Sequence, residues 1–169
     1  MPELAFSRVP SYYHKYLNKV KENDLYDALR KSQALLLTTL ENMPVDKWDY
    51  SYAEGKWKVK DVVQHIIDAE RIFCFRALCF ARMDQTHLPG FDENLYAENT
   101  RAFKRNSESL IEELKTVQAA TLSLFASFDD EQLEQQGTAN NNPVYVKGIG
   151  FIIAGHAIHH TDIIKERYL

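Results

Sequence analysis

Gly155-His156-Ala157-Ile158-His159-His160-Thr161-Asp162 holds three of the chain's six histidines and lies close to its C-terminus. The surrounding apolar residues recur at helical spacing, so the stretch reads as the middle of a helix. A helix turns about 100° per residue, so residues four apart sit roughly 40° apart around the axis, one turn along it. His156 and His160 therefore point the same way. Ile149, Ile152, Ile153 and Ile163 fall within about 60° of His156 on the same wheel. That stripe faces a core and carries nothing else that is charged. Two stacked imidazoles inside an apolar stripe suit a shared metal ion, because neutral imidazole is a common ligand. His159 lies about 60° from His156 and is the alternative to His160. His160 sits nearer the stripe's centre and is preferred.

Working outward, the fourth helix begins near Val146 and runs to the end of the chain. Before it, residues 129–145 are polar and loop-forming, with Gly137-Thr138-Ala139-Asn140-Asn141-Asn142-Pro143 in the middle. Phe103, Ser107, Leu110, Leu114, Val117, Thr121, Leu124 and Phe128 repeat at alternating four and three, which predicts a third main helix capped by Asn99 and ending near Phe128. A short helix from Asp92 to Glu98 precedes it. Residues 84–92 form a loop with a Pro-Gly turn signal. His87 in that loop could reach a site at the bundle mouth, but a solvated loop histidine is the plainer reading. The second helix runs from about Val59 to Met83 on a stripe of Val62, Ile66, Ala69, Phe73, Ala77 and Phe80. From Ile72 to Phe80 almost every position is apolar except Arg76. That predicts burial all round, either within the fold or beneath a second copy. The first strong helix runs from about Asp24 to Asn42, capped by Asn23 or Asp24 and stopped by Pro44. Residues 44–57 carry Trp48, Tyr50, Tyr52 and Trp57 and are expected to lie across the helix ends. No sustained period-two alternation appears, so no strands are expected.

The fold class that follows is all-α, a four-helix bundle, with simple or crossover connectivity left open by the loop lengths. Residues 1–22, with Tyr12, Tyr13, His14 and Tyr16, read as an N-terminal arm packing on the outside of a bundle domain spanning 23–169. His14 reads as a surface histidine. At 169 residues the chain is long enough for one domain with a sizeable core. A net charge of −4 and a pI near 5.9 give no support to nucleic-acid binding. No apolar run is long enough to span a bilayer. The first residues lack the basic and apolar regions of a signal peptide. Cys74 and Cys79 lie five apart on one helix, about 140° apart on the wheel, and so cannot bridge; they read as reduced thiols of a cytoplasmic protein.

A third metal ligand must come from elsewhere in the chain. His65 is the other histidine on a core-facing helical position, beside Asp61 and Asp68. Three neutral histidines with an open position suit Zn²⁺, Ni²⁺ or Fe²⁺, with Mn²⁺ a further alternative. Asp61 or Asp68 is a candidate acceptor for His65, and Asp162 for a ligand on the fourth helix. Several rival chemistries are missing from the sequence: the Glu-x-x-His of di-iron bundles, His-Glu-x-x-His, Cys-x-x-Cys and a glycine-rich phosphate loop.

The chain also resembles the DinB/YfiT-like family over nearly all of residues 24–169. The matching stretches are Gly55-Lys56-Trp57, Asp61-Val62-Val63-Gln64-His65 and Asp68-Ala69-Glu70-Arg71-Ile72-Phe73. Arg76-Ala77-Leu78, Leu88-Pro89-Gly90-Phe91-Asp92 and Gly137-Thr138-Ala139-Asn140 follow in order. The match closes with Ile152-Ile153-Ala154-Gly155-His156, His159-His160 and Ile164-Lys165-Glu166-Arg167-Tyr168-Leu169. The resemblance implies a four-helix bundle, commonly a homodimer, with a divalent metal, nickel or zinc first, on His65, His156 and His160. It implies a thiol-dependent transferase that activates a low-molecular-weight thiol, such as bacillithiol or mycothiol, against an electrophilic small molecule. The alternatives are a hydrolase using metal-bound hydroxide and a non-catalytic metal-binding or stress-response bundle. Asp68 and Glu70 are candidate bases, while loop 84–92 and residues 137–142 are expected to shape the substrate mouth. Asp162 stands where the family pattern leads one to expect Asn.

Overall fold

The computed structural model describes residues 4–169. Four long helices form the bundle: α2 (Leu25–Glu41), α3 (Val59–Ala81), α5 (Ser107–Ala126) and α7 (Val146–Arg167). Around them lie the short helices α1 (His14–Leu17), α4 (Glu93–Asn99) and α6 (Asp130–Glu134), and a hairpin of β1 (Gln136–Ala139) and β2 (Asn142–Tyr145). Helix α2 packs on α5 and α7, and α3 packs on the same two. Consecutive helices α2 and α3 therefore sit across a diagonal, as do α5 and α7. This is a crossover order, and it places α3 beside α7, which brings their histidines together.

The helix starts follow ordinary capping chemistry. Asp24 caps α2 by accepting from the Asp27 N–H at 3.0 Å. Asp61 reaches back to the Lys58 N–H at 3.0 Å at the start of α3. Asn106 caps α5 through the Ser109 N–H at 2.9 Å. The cap of the third main helix thus lies seven residues beyond the expected one, Asn99, which instead ends α4. The chain breaks at Arg101, whose φ of 53° is left-handed and cannot continue a helix. Phe103 keeps the seam's spacing but lies in a 3₁₀ turn over Ala102–Lys104 and is 63% exposed. The repeat ran on past the break because spacing carries no information about a single dihedral.

The hairpin corrects the expectation of no strands. Gln136 pairs with Tyr145, Gly137 with Val144, Thr138 with Pro143 and Ala139 with Asn142. Asn140 and Asn141 turn the chain at φ of 50° and 60°, the two left-handed residues that a tight hairpin turn needs. Four residues per strand are too few to show alternation. Loop 84–92 is tied to this hairpin: the Leu88 N–H donates to Thr138 O at 2.9 Å and the Asn140 N–H donates to Leu88 O at 3.0 Å.

Two apolar clusters fill the bundle. One holds Leu36, Leu40, Trp48, Val62, Ile66, Leu110, Leu114 and Tyr168. The other holds Leu25, Phe73, Phe80, Phe125, Tyr145, Ile149 and Ile152. Between them, Ser32, Gln33, Gln118, Thr121, His156, His160 and Thr161 are all buried polar residues. Segment 44–57 closes one end as its aromatics suggested: Trp48 is buried, and the Tyr168 hydroxyl donates to Trp57 O at 2.7 Å. The stretch of α3 expected to be buried all round is not, because Phe75 is 56% and Leu78 is 38% exposed on this chain. Helix α7 is the one enclosed on every side, with each residue from Val146 to Ala157 buried. No helix among the described residues is long and apolar enough to cross a membrane.

The N-terminal arm packs on α7. A Cβ added at Gly155 would lie 2.3 Å from the Tyr16 carbonyl oxygen, so only glycine lets the arm's backbone approach this closely. That approach carries Tyr16 into the region of the histidines.

Candidate metal centre

The structure brings His65, His156 and His160 together. His65 Nε2 lies 3.0 Å from His156 Nε2, and His160 Nε2 lies 3.0 Å from the same atom. His156 and His160 are 5% and 8% exposed, while His65 is half-buried. The spacing of four on α7 aligns two of the rings, and the diagonal packing order aims the third at them from α3. His159 is turned aside: its ring stacks edge-on to Tyr16, with centroids 5.2 Å apart.

This arrangement fits a bound cation on hydrogen-bonding grounds alone. A single imidazole nitrogen carries either one hydrogen or one lone pair. His156 Nε2 can therefore make one of its two 3.0 Å contacts as a hydrogen bond, and not both. A divalent cation among the three nitrogens satisfies all of them at once. Burial pushes His65 down to about 4, helped by the charge of His159. His156 and His160 are pushed well below the ordinary range by burial and then by neighbouring histidines. All three are thus neutral near pH 7, the form that ligates.

None of the carboxylates expected to orient the ligands does so. Asp61 caps α3, Asp68 accepts from the Gln64 amide at 3.0 Å, and Asp162 accepts from Lys19 at 2.7 Å. His160 Nδ1 is buried without a hydrogen-bond partner among the described residues. Glu70 is buried on another face of α3, where the Thr121 hydroxyl donates to it at 2.5 Å. Neither Asp68 nor Glu70 lines the cavity beside the histidines. His87 is exposed, and His14 Nε2 lies 3.1 Å and 3.0 Å from the carbonyls of Phe6 and Val9. Both cysteines are free, and burial pushes the Cys74 thiol up to about 12, so it is not a nucleophile.

The three histidines open onto a cavity of about 460 Å³. Its walls include Tyr12, Tyr13 and Tyr16 from the arm, Trp57, Phe73 and Arg76, with Gly90, Phe91 and Asn140 at the loop and hairpin. The loop and the hairpin thus stand at the mouth, where the sequence placed them. The arm was read as outer packing, yet it forms a wall: Tyr16 sits edge-on to His156 with centroids 5.3 Å apart. Trp57 lies 5.0 Å from the His65 ring. Arg76 stood out in the sequence as a lone charge in an apolar run, but nothing there tied it to the histidines.

A sequence model of the DinB superfamily matches residues 28–164. A protein of Oceanobacillus iheyensis named "Putative metal-dependent hydrolase" is 25% identical over 152 residues, covering 87% of each chain. Among solved structures, YfiT from Bacillus subtilis superposes with a TM-score of 0.71 at 17% identity, covering 98% of this chain and 90% of its own. It is described as a probable metal-dependent hydrolase with an unusual four-helix bundle topology. A mycothiol-dependent maleylpyruvate isomerase superposes with a TM-score of 0.67 at 13% identity, covering 94% of this chain and 62% of that one.

Proposed function

The chain belongs to the DinB superfamily, and we propose on that premise that it is a metal-dependent enzyme acting on small molecules. In this reading His65, His156 and His160 hold one divalent cation through Nε2, and the reaction joins a low-molecular-weight thiol to an electrophile. The observation that carries it is the meeting of three neutral histidines, with the Nε2 atoms of His65 and His160 each 3.0 Å from that of His156, on the wall of a cavity large enough for a small molecule. A divalent cation held by these three histidines would supply Lewis acidity that lowers the pKa of a thiol bound beside them.

The chain's own residues do the rest. Trp57 and Tyr16 flank the histidines and exclude water from one side. His159 lines the same cavity outside the triad, and burial, with Lys15 and Lys19 beside it, pushes its pKa down. It is therefore a neutral base within the cavity, and we assign it the proton released by the thiol. The thiol's S–H bond breaks and its proton goes to His159; the sulfur's electron pair forms the new bond to the electrophilic carbon, whose bond to its leaving group breaks with the pair departing on that group, a chloride for an aryl chloride.

Conjugation of a thiol to 1-chloro-2,4-dinitrobenzene, followed with and without chelator, tests the reading. It requires a rate that falls to background on chelation. His159→Gln should lower the rate by about 10²-fold with metal content unchanged. A rate indifferent to metal would sink the proposal. A second reading, hydrolysis of an ester or amide, is favoured by the names of the relatives; turnover without added thiol identifies it. Loss of folding on chelation with no turnover of either kind would leave the cation a structural role.

A further inference from the structure

We infer that Arg76 is an anchor for a carboxylate group on the small molecule that enters the cavity. The inference deepens the proposed function by naming a substrate class, and it rests on that reading for its link to catalysis.

Arg76 is 4% exposed and lines the cavity that the histidines open onto. A buried guanidinium is ordinarily matched by a carboxylate, because an unpaired buried charge is costly. Arg76 has no such match: no ion pair among the described residues includes it. Its partners among the described residues are neutral. Nη2 donates to Pro89 O at 2.8 Å, and the Phe73 ring lies 6.0 Å from Cζ. The Tyr13 phenol sits beside it and is held neutral, because burial pushes its pKa up. A guanidinium has five N–H donors in a planar fork, so capacity for a bidentate oxyanion remains. The cavity's one carboxylate among the described residues, Glu93, is exposed and does not pair with Arg76.

The spacing defines what would fit. Both ends adjoin the Phe73 ring, whose centroid lies 6.1 Å from that of His156 and 6.0 Å from Arg76 Cζ. Tyr13 stacks edge-on to Phe73 at 5.8 Å. The ligand is therefore a small acid with an apolar or aromatic body lying along Phe73, its carboxylate on Arg76 and its reacting atom towards the histidines. Among the described residues that line the cavity, Arg76 is the one buried guanidinium or ammonium group, Lys15 being exposed, and this matches the single charge of a carboxylate.

The test is binding, so it stands apart from activity. Titration calorimetry would compare 3-phenylpropanoate with its neutral isostere 3-phenylpropanamide at pH 7, with and without EDTA. The carboxylate should bind about tenfold or more tightly, as a charge-assisted bidentate contact gives. That preference should vanish in Arg76→Gln, survive in part in Arg76→Lys, and persist in Lys15→Gln and in EDTA. Equal binding of the two probes to the unaltered protein, or no binding of the acid, would overturn the inference without any variant. So would a preference that survives Arg76→Gln, or one that disappears with EDTA, which would place the acid on the cation. Failure of the metal reading alone would leave the EDTA arm intact.

Discussion

Five residues separate His65 from Glu70 on α3, which turns their side chains about 140° apart. His65 meets the α7 histidines, and Glu70 meets Thr121 on α5. Glu70 was a candidate base, and the helix geometry turns it towards Thr121 rather than into the cavity beside the histidines. Burial pushes its carboxyl up to about 7. A raised folded pKa means that the folded state binds the extra proton between the unfolded value and about 7. Stability from this group is therefore full below about 4.5 and is lost as pH rises through 7. Glu70→Gln should remove that dependence. Relative to the unaltered protein, the variant should gain up to about 3 kcal/mol between pH 4 and pH 8 in urea unfolding. A difference between the two proteins that does not change with pH would show that Glu70 is ionised in place.

At the scale of elements, Gly155 is where two effects oppose one another. Alanine in a helix interior is favoured over glycine by about 1 kcal/mol. The Tyr16 carbonyl, 2.3 Å from where the new methyl would sit, is backbone and cannot swing away. The clash should win, so Gly155→Ala is expected to destabilise by about 1–3 kcal/mol by denaturant unfolding. A more stable variant would mean that the arm is not packed there. The same elements show what could be read from the chain. The stripes of α2, α3 and α5 were legible because each buries one face over many turns, and α7, buried on every side through Ala157, was legible from the apolar positions around His156. The hairpin was not, because its strands are four residues long and its signal is one Asn-Asn turn. Nor was the break at Arg101, which sits inside an unbroken seam. His156 and His160 were legible from their spacing of four. The walls supplied by Tyr16 and Arg76 depend on how the arm and loop 84–92 fold back, and no periodicity records that.

For the whole molecule, the crossover order sets α3 against α7, and this single choice assembles the site from residues 91 and 95 positions apart along the chain. It also leaves one face of α3 uncovered, with Phe75 56% and Leu78 38% exposed. We propose that a second copy covers that face. Light scattering should then give twice the 19.6 kDa of one chain, and Phe75→Glu should return the single mass, since a charge at a buried contact is costly. A single mass for the unaltered protein at micromolar concentration would contradict this. The polar layer between the two apolar clusters is where the fold gives up packing for chemistry. It holds the triad, and the cavity opens beside it.

We propose above all that three neutral histidines, His65, His156 and His160, hold one cation. Metal analysis of protein purified without chelator or histidine tag tests it, beside His65→Ala and His160→Ala. About one divalent cation per chain is expected, lost in both variants, as a site that needs all three nitrogens requires. No metal in the unaltered protein, and no rise in Tm on adding Zn²⁺ or Ni²⁺, would contradict it.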